Sequence, residues 1–198
     1  MRISVNVSAA EFSHRDMTRF IAGILDETGT NPQWLTLELT ETLIAEPSVR
    51  MQQTLRTLRD LGVGLSIDDF GVGYSSLRYL ETLPVTEIKI DRSFVQGMQE
   101  SATKRIIVET VVKIGKELGA DVVAEGIETE AERAMLCSIG CPFGQGYLFS
   151  RPLPPEAFLE LVGNSQPVGT IANQPSSSGP SEISADTPPA GPRGASRA

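Results

Sequence analysis

Short apolar runs rich in β-branched residues recur along the chain, over Ile3 to Val7, Leu35 to Leu39, Val63 to Ile67, Val85 to Ile90 and Asp121 to Ala124, with a weaker one around Tyr147 to Phe149. Between them, apolar residues return at helical spacing: Met17, Phe20, Ile21, Ile24 and Leu25; then Leu55, Leu58 and Leu61; then Ile106, Ile107, Val111, Ile114 and Leu118. Strand and helix alternate roughly every 25 to 30 residues. Such alternation predicts parallel strands joined by helical crossovers, an α/β fold. Helix punctuation agrees. Leu118-Gly119 and Leu61-Gly62 read as helix stops, Pro47 suits a first helical turn, and Thr129 with Glu132 has capping-box spacing.

Polar residues gather at the strand ends: Asn6, then Glu38 and Glu41, then Asp68 and Asp69, then Lys89 and Asp91, then Glu125 and Glu128, then Gln145. In a (β/α)8 barrel the C-terminal strand ends converge on one face, where side chains from different strands build the site. A doubly wound open sheet places ligands only near a switch point, and Gly71-Val72-Gly73 supplies just G-x-G of its phosphate fingerprint. The pattern therefore predicts a TIM-like (β/α) barrel. About six β/α units fall short of the eight units and roughly 250 residues typical of that fold, so the barrel is expected to be incomplete.

Composition changes the picture at the C-terminus. From Asn164 to Ala198 there are 6 Pro, 4 Gly and 7 Ser against three large aliphatics, Val168, Ile171 and Ile183. A segment so poor in apolar groups is expected to be a disordered tail, residues 164–198, behind a folded body, residues 1–163. The formal net charge of -8 belongs to that body, which disfavours polymeric DNA or RNA as a partner, since nucleic-acid backbones are held by Lys and Arg. The two cysteines, Cys137 and Cys141, lack further ligands for zinc at suitable spacing and are expected to be packed, unreactive thiols. The single histidine, His14, lies among polar neighbours and reads as solvated, so acid-base chemistry falls to carboxylates, Lys or metal-bound water. No apolar run approaches the roughly 18 residues of a membrane span, and the start lacks a signal-peptide pattern. A cytoplasmic protein is expected.

Asp68-Asp69 closes the run Leu65-Ser66-Ile67. Two adjacent carboxylates at a buried strand end repel each other unless a cation lies between them. A helix cap or turn pair would explain a lone Asp-Asp, but Glu38 and Glu125 arrive from other strands and Asn6 adds a neutral oxygen. Oxygen-only ligands suit Mg²⁺ or Mn²⁺ rather than zinc. Two such ions, about 3.5 to 4 Å apart and shared by a bridging Asp, can hold a phosphodiester and generate hydroxide for in-line attack. Lys89 reads either as a structural partner of Asp91 or Glu87, or as the group that orients the attacking water and stabilises transition-state charge. Phe70 to Ser76 form a glycine-hinged connection beside these groups, a candidate lid. The Asp-Phe-Gly triplet has no accompanying kinase catalytic loop.

With these residues in place, the chain resembles the EAL family of bacterial cyclic-di-GMP phosphodiesterases. The resemblance runs from about residue 3 to about 160, through Asn6-Val7-Ser8, Glu38-Leu39-Thr40-Glu41, Asp68-Asp69-Phe70-Gly71, Lys89-Ile90-Asp91, Glu125-Gly126-Ile127-Glu128 and Gln145-Gly146-Tyr147. It implies a TIM-like barrel that uses Mg²⁺ or Mn²⁺ to open cyclic-di-GMP to linear pGpG. It also implies that Asn6, Glu38, Asp68, Asp69 and Glu125 are metal ligands, with Glu125 also serving as a base. By the same resemblance Lys89 holds the catalytic water, Glu41 anchors the lid loop, and Glu128 and Gln145 support the site.

The family's name motif, Glu-Ala-Leu, whose Glu is a metal ligand, does not occur; the nearest string is Glu156-Ala157-Phe158. The chain reads as the C-terminal two-thirds of the domain. A parallel barrel without its first strands leaves two unpaired edges, so residues 1–198 alone are expected to fold poorly and to be essentially inactive, with a homodimer or a missing N-terminal segment of the domain as the expected partner. Two other functions fit parts of the pattern. A non-catalytic cyclic-di-GMP-binding or protein-interaction fragment would explain the absent Glu. An enolase-like Mg²⁺ barrel would share the strand-end Asp, Glu and Lys but leaves the Asp-Asp-Phe-Gly loop unexplained.

Overall fold

The computed structural model of the chain describes residues 2–14, 16–44, 47–72 and 80–164. The remainder of the expected tail, and Gly73 to Ser76 of the candidate lid, lie outside the described residues. Six parallel strands pair in sequence order: β1 Ile3–Val7, β2 Leu35–Thr40, β3 Gly64–Phe70, β4 Glu87–Ile90, β5 Asp121–Ala124 and β6 Phe143–Gly144. Between and after them run α1 Ala9–His14, α2 Met17–Thr28, α3 Glu41–Ile44, α4 Val49–Asp60, α5 Arg92–Val95, α6 Ala102–Leu118, α7 Glu130–Ile139 and α8 Pro155–Asn164.

Strand alternation separates two faces. Leu37, Leu39, Leu65, Ile67, Ile88, Ile90, Val122 and Ala124 are buried and form the core with Met17, Ile21 and Leu25 of α2, Leu55 and Leu58 of α4, and Val108 and Val111 of α6. The intervening positions are Thr36, Glu38, Ser66 and Lys89, also buried, so the second face is polar and enclosed. That enclosure requires a rolled sheet. Arg2, next to β1, reaches Asp121 at the start of β5 with 3.5 Å between Nη1 and Oδ2. Four strand spacings in a flat sheet come to roughly 19 Å, beyond the combined reach of the two side chains. The sheet therefore curls on itself as a TIM-like barrel does, with β1 and β6 as its outer strands.

Helix ends obey the expected chemistry. Gly119 takes a left-handed conformation after α6, and Thr129 and Glu132 complete a capping box on α7. Pro47 does not occupy a first helical turn: Ser48 is the N-cap of α4, its Oγ accepting from the Met51 N–H, so the proline precedes the helix. The strand expected around Tyr147 to Phe149 is displaced to Phe143–Gly144. Residues 147 to 149 instead form a turn closed by Phe149 N–H to Gly146 O at 3.1 Å, because the chain leaves the sheet once Gln145 has completed the ladder with Ala124 and Ile127.

Candidate active site

The polar strand ends converge. Lys89, the third residue of β4, is the hub: its Nζ lies 3.0 Å from Glu38 Oε1, 2.9 Å from Asp68 Oδ1 and 2.7 Å from Glu125 Oε1. These carboxylates come from β2, from β3 and from the residue after β5, which joins the ladder through its N–H to Ile90 O. The Lys89 side chain is only 8% exposed. It does not pair with Asp91 or Glu87 among the described ion pairs; Asp91 instead caps α5 through Ser93 N–H. Gln145 Nε2 donates to Glu125 Oε1 at 2.7 Å, so that oxygen has two donors.

The electrostatics reflect this crowding. Burial works to lower the Lys89 pKa, but the surrounding carboxylates outweigh it and hold the ammonium above the ordinary lysine range. Burial pushes the Glu125 carboxyl up, against the pull of Lys89, with Asp68 and Glu38 adding like-charge repulsion. Asp69 is likewise raised, by partial burial first and then by Asp68 and Asp91.

Asp68, Asp69 and Glu125 each offer a carboxylate oxygen, and the three oxygens lie within 4.8 Å of one another. An all-oxygen donor set of this spacing fits Mg²⁺ or Mn²⁺. Asn6 stands opposite Glu38 in the β1–β2 register and is exposed. Asp69 has φ 53°, a left-handed conformation that Asp tolerates better than most residues. The turn it begins carries Gly71 at φ 98°, where a Cβ would come within 2.9 Å of the Phe94 ring. Glu41, buried at the start of α3, accepts the Gly71 N–H through Oε2 at 3.1 Å. Glu128 is outside the hub: its Oε1 accepts from Gln96 Nε2 at 3.2 Å, and its N–H is held by Glu132. Gly126, between the two glutamates at φ 67°, passes Arg92 so closely that a Cβ would meet the Arg92 Cβ at 2.4 Å.

Beside Glu125 opens a cavity of about 470 Å³, lined by Arg92, Glu128, Gln145, Tyr147, Arg151 and Leu153 among others. The Arg151 guanidinium stacks 4.7 Å from the Tyr147 ring centroid. Sequence reasoning misses Arg92 and Arg151. Arg92 stands two residues beyond the end of β4, whereas Arg151 stands past the Gly146 turn and carries no such signal.

A rolled parallel sheet with carboxylates and one buried ammonium gathered at its strand ends defines an α/β-barrel domain with an acidic centre. The chain belongs to the EAL-domain family, whose model matches residues 1–152. It is 41% identical over 160 residues to the bifunctional diguanylate cyclase/cyclic di-GMP phosphodiesterase MucR of Pseudomonas aeruginosa, covering 81% of this chain and 23% of MucR. It is 37% identical over 166 residues to the cyclic di-GMP phosphodiesterase RocR of the same organism, covering 83% of this chain and 42% of RocR. The chain thus spans less than half the length of these relatives. Among solved structures, the MucR phosphodiesterase in complex with c-di-GMP superposes with a TM-score of 0.75 at 40% identity, over 80% of this chain and 64% of that one. A manganese and cyclic-di-GMP complex of Klebsiella pneumoniae BlrP1 superposes with a TM-score of 0.72 at 37% identity, over 76% and 39%.

Proposed function

We propose that this chain forms the greater part of a metal-dependent phosphodiesterase domain, residues 1–163, that hydrolyses cyclic-di-GMP to linear pGpG, with residues 164–198 as a dispensable tail. The observation that carries the reading is the convergence of Glu38, Asp68 and Glu125 on Lys89 within 3.0 Å. The c-di-GMP and manganese complexes of its structural neighbours support the same substrate and ion class.

Asn6, Glu38, Asp68, Asp69 and Glu125 would hold two ions of the Mg²⁺ or Mn²⁺ kind. When bound, such ions polarise phosphoryl oxygens and lower the pKa of water. Lys89 stands within reach of a nucleophilic water placed among these carboxylates and offsets negative charge as it develops on the phosphorus. Glu125, kept oriented by Gln145, would accept the water's proton. Glu41 fixes the Gly71 turn beside Asp69, and Glu128 supports the wall of the neighbouring cavity. Arg92 and Arg151, beside Glu125 and Glu128 in the same lining, offer guanidinium donors suited to an anionic phosphodiester, and the cavity's volume suits a small molecule rather than a polymer.

Product analysis tests the reading. The Glu-Ala-Leu string is absent from this sequence, so the 198-residue chain is assayed beside a chimera in which the preceding strands of the MucR domain are fused to it. The expected product with Mn²⁺ is pGpG, formed far faster by the chimera. Tight binding of cyclic-di-GMP by both without any pGpG would instead identify a binding module.

A further inference from the structure

Asp68 and Glu125 belong to two sets at once. They are two of the three carboxylates that approach Lys89, at 2.9 and 2.7 Å, and two of the three whose oxygens lie within 4.8 Å of one another as a cation set with Asp69. We propose that Lys89 and a divalent cation compete for these carboxylates, so that Lys89 weakens ion binding and ion binding releases the Lys89 ammonium from its cage. The inference rests on the metal-dependent reading above.

The charges make the competition strong. A divalent ion held by Asp68 and Glu125 would stand only a few ångströms from the ammonium, and like charges at that separation repel with little screening where the groups are buried. Side-chain exposures here are 8% for Lys89, 10% for Glu38, 16% for Asp68 and 17% for Glu125. Nor can Glu125 Oε1 absorb the conflict by rotating freely, because it also accepts from Gln145 Nε2 at 2.7 Å. The result is a two-state element. In one state Lys89 neutralises the strand-end carboxylates; in the other the ion does so, and the released ammonium is available to the water and phosphate beside it. The cage thereby lowers the cost of holding Glu38, Asp68 and Glu125 together before an ion arrives.

Mn²⁺ binding, measured by the loss of the free-ion paramagnetic resonance signal, reads this directly in the 198-residue chain and in Lys89→Gln and Lys89→Arg. Removing the charge in Lys89→Gln is expected to tighten Mn²⁺ binding by about tenfold or more, the scale for deleting a cation a few ångströms away. Lys89→Arg, which keeps the charge, is expected not to tighten Mn²⁺ binding. In the parent chain, the lysine 13Cε resonance that Lys89→Arg lacks should shift as Mg²⁺ is added, with the same midpoint as ion binding. That second readout decides the matter even where the glutamine variant does not fold. A parent chain that binds Mn²⁺ while Lys89→Gln binds equally or more weakly overturns the proposal, as does a 13Cε resonance unmoved at saturating Mg²⁺. Failure of the parent chain and both variants to bind Mn²⁺ overturns the metal-dependent reading, and this inference with it.

Discussion

Glu41 and Gly71 are 30 residues apart in the chain, yet the Glu41 carboxylate accepts the Gly71 backbone N–H at 3.1 Å and ties the turn after Asp69 to the end of β2. A hydrogen bond to a charged acceptor contributes about 1.5 to 3 kcal/mol. Glu41→Ala is therefore expected to lower kcat about tenfold to a hundredfold in a catalytically competent chimera. Glu41→Gln, which keeps an acceptor oxygen, should retain much of the rate. Steady-state kinetics of the two variants check this, and equal rates for alanine and parent would mean that the turn needs no anchor.

Asp68 contacts Lys89 and belongs to the Asp68, Asp69, Glu125 oxygen set. Asp68→Asn should weaken Mn²⁺ binding and abolish turnover together, since one carboxylate then fails both the cation and the ammonium. Calorimetric Mn²⁺ titration and pGpG formation, measured on the same preparation, provide the comparison. Near-normal turnover by the variant would contradict the site.

Cys141 is fully buried and Cys137 partly exposed. Burial is the main cause that pushes the Cys141 thiol up to about 12, so it stays protonated and unreactive through the neutral and mildly alkaline range. A thiol reagent at about pH 8, below the ordinary thiol pKa of about 8.5, should label Cys137 in the native chain and Cys141 only after unfolding. Peptide mapping distinguishes them; equal native labelling would mean that Cys141 is not packed beneath β5 and β6.

The barrel class, the strand order of chemistry and the hub residues are all legible in the sequence, because polar residues recur at or beside the strand ends and parallel strands aim those ends at one face. Lys89 illustrates the limit. Its neighbours along the chain, Glu87 and Asp91, are natural partners, yet its ion pairs are with Glu38, Asp68 and Glu125, which only the rolled sheet brings near. Tyr147 to Phe149 mislead for a different reason. Three apolar residues in a row match a strand, but they come after Gly146, where the chain turns out of the sheet. The Arg151 to Tyr147 contact depends on that same turn and so has no periodic signature.

Ile3 and Val5, on the face of β1 shared with buried Leu37, are 55% and 45% exposed. An outer strand with uncovered β-branched residues is a pairing template. The 198-residue chain should therefore self-associate in a concentration-dependent way, and Val5→Lys should reduce it. Light scattering during size-exclusion chromatography reports the mass. A strictly monomeric parent chain at all concentrations would contradict this.

If the carboxylates gathered around Lys89 support divalent-ion-dependent hydrolysis of cyclic-di-GMP, the chimera must lose and regain activity with its ion. Stripping it with EDTA and measuring pGpG release by chromatography as Mn²⁺ is restored makes the dependence visible. No product is expected in EDTA, with saturable recovery on adding Mn²⁺ and no recovery in Asp68→Asn. Hydrolysis that persists in EDTA, or that Asp68→Asn regains with Mn²⁺, would show that the carboxylates around Lys89 do not act through a divalent ion.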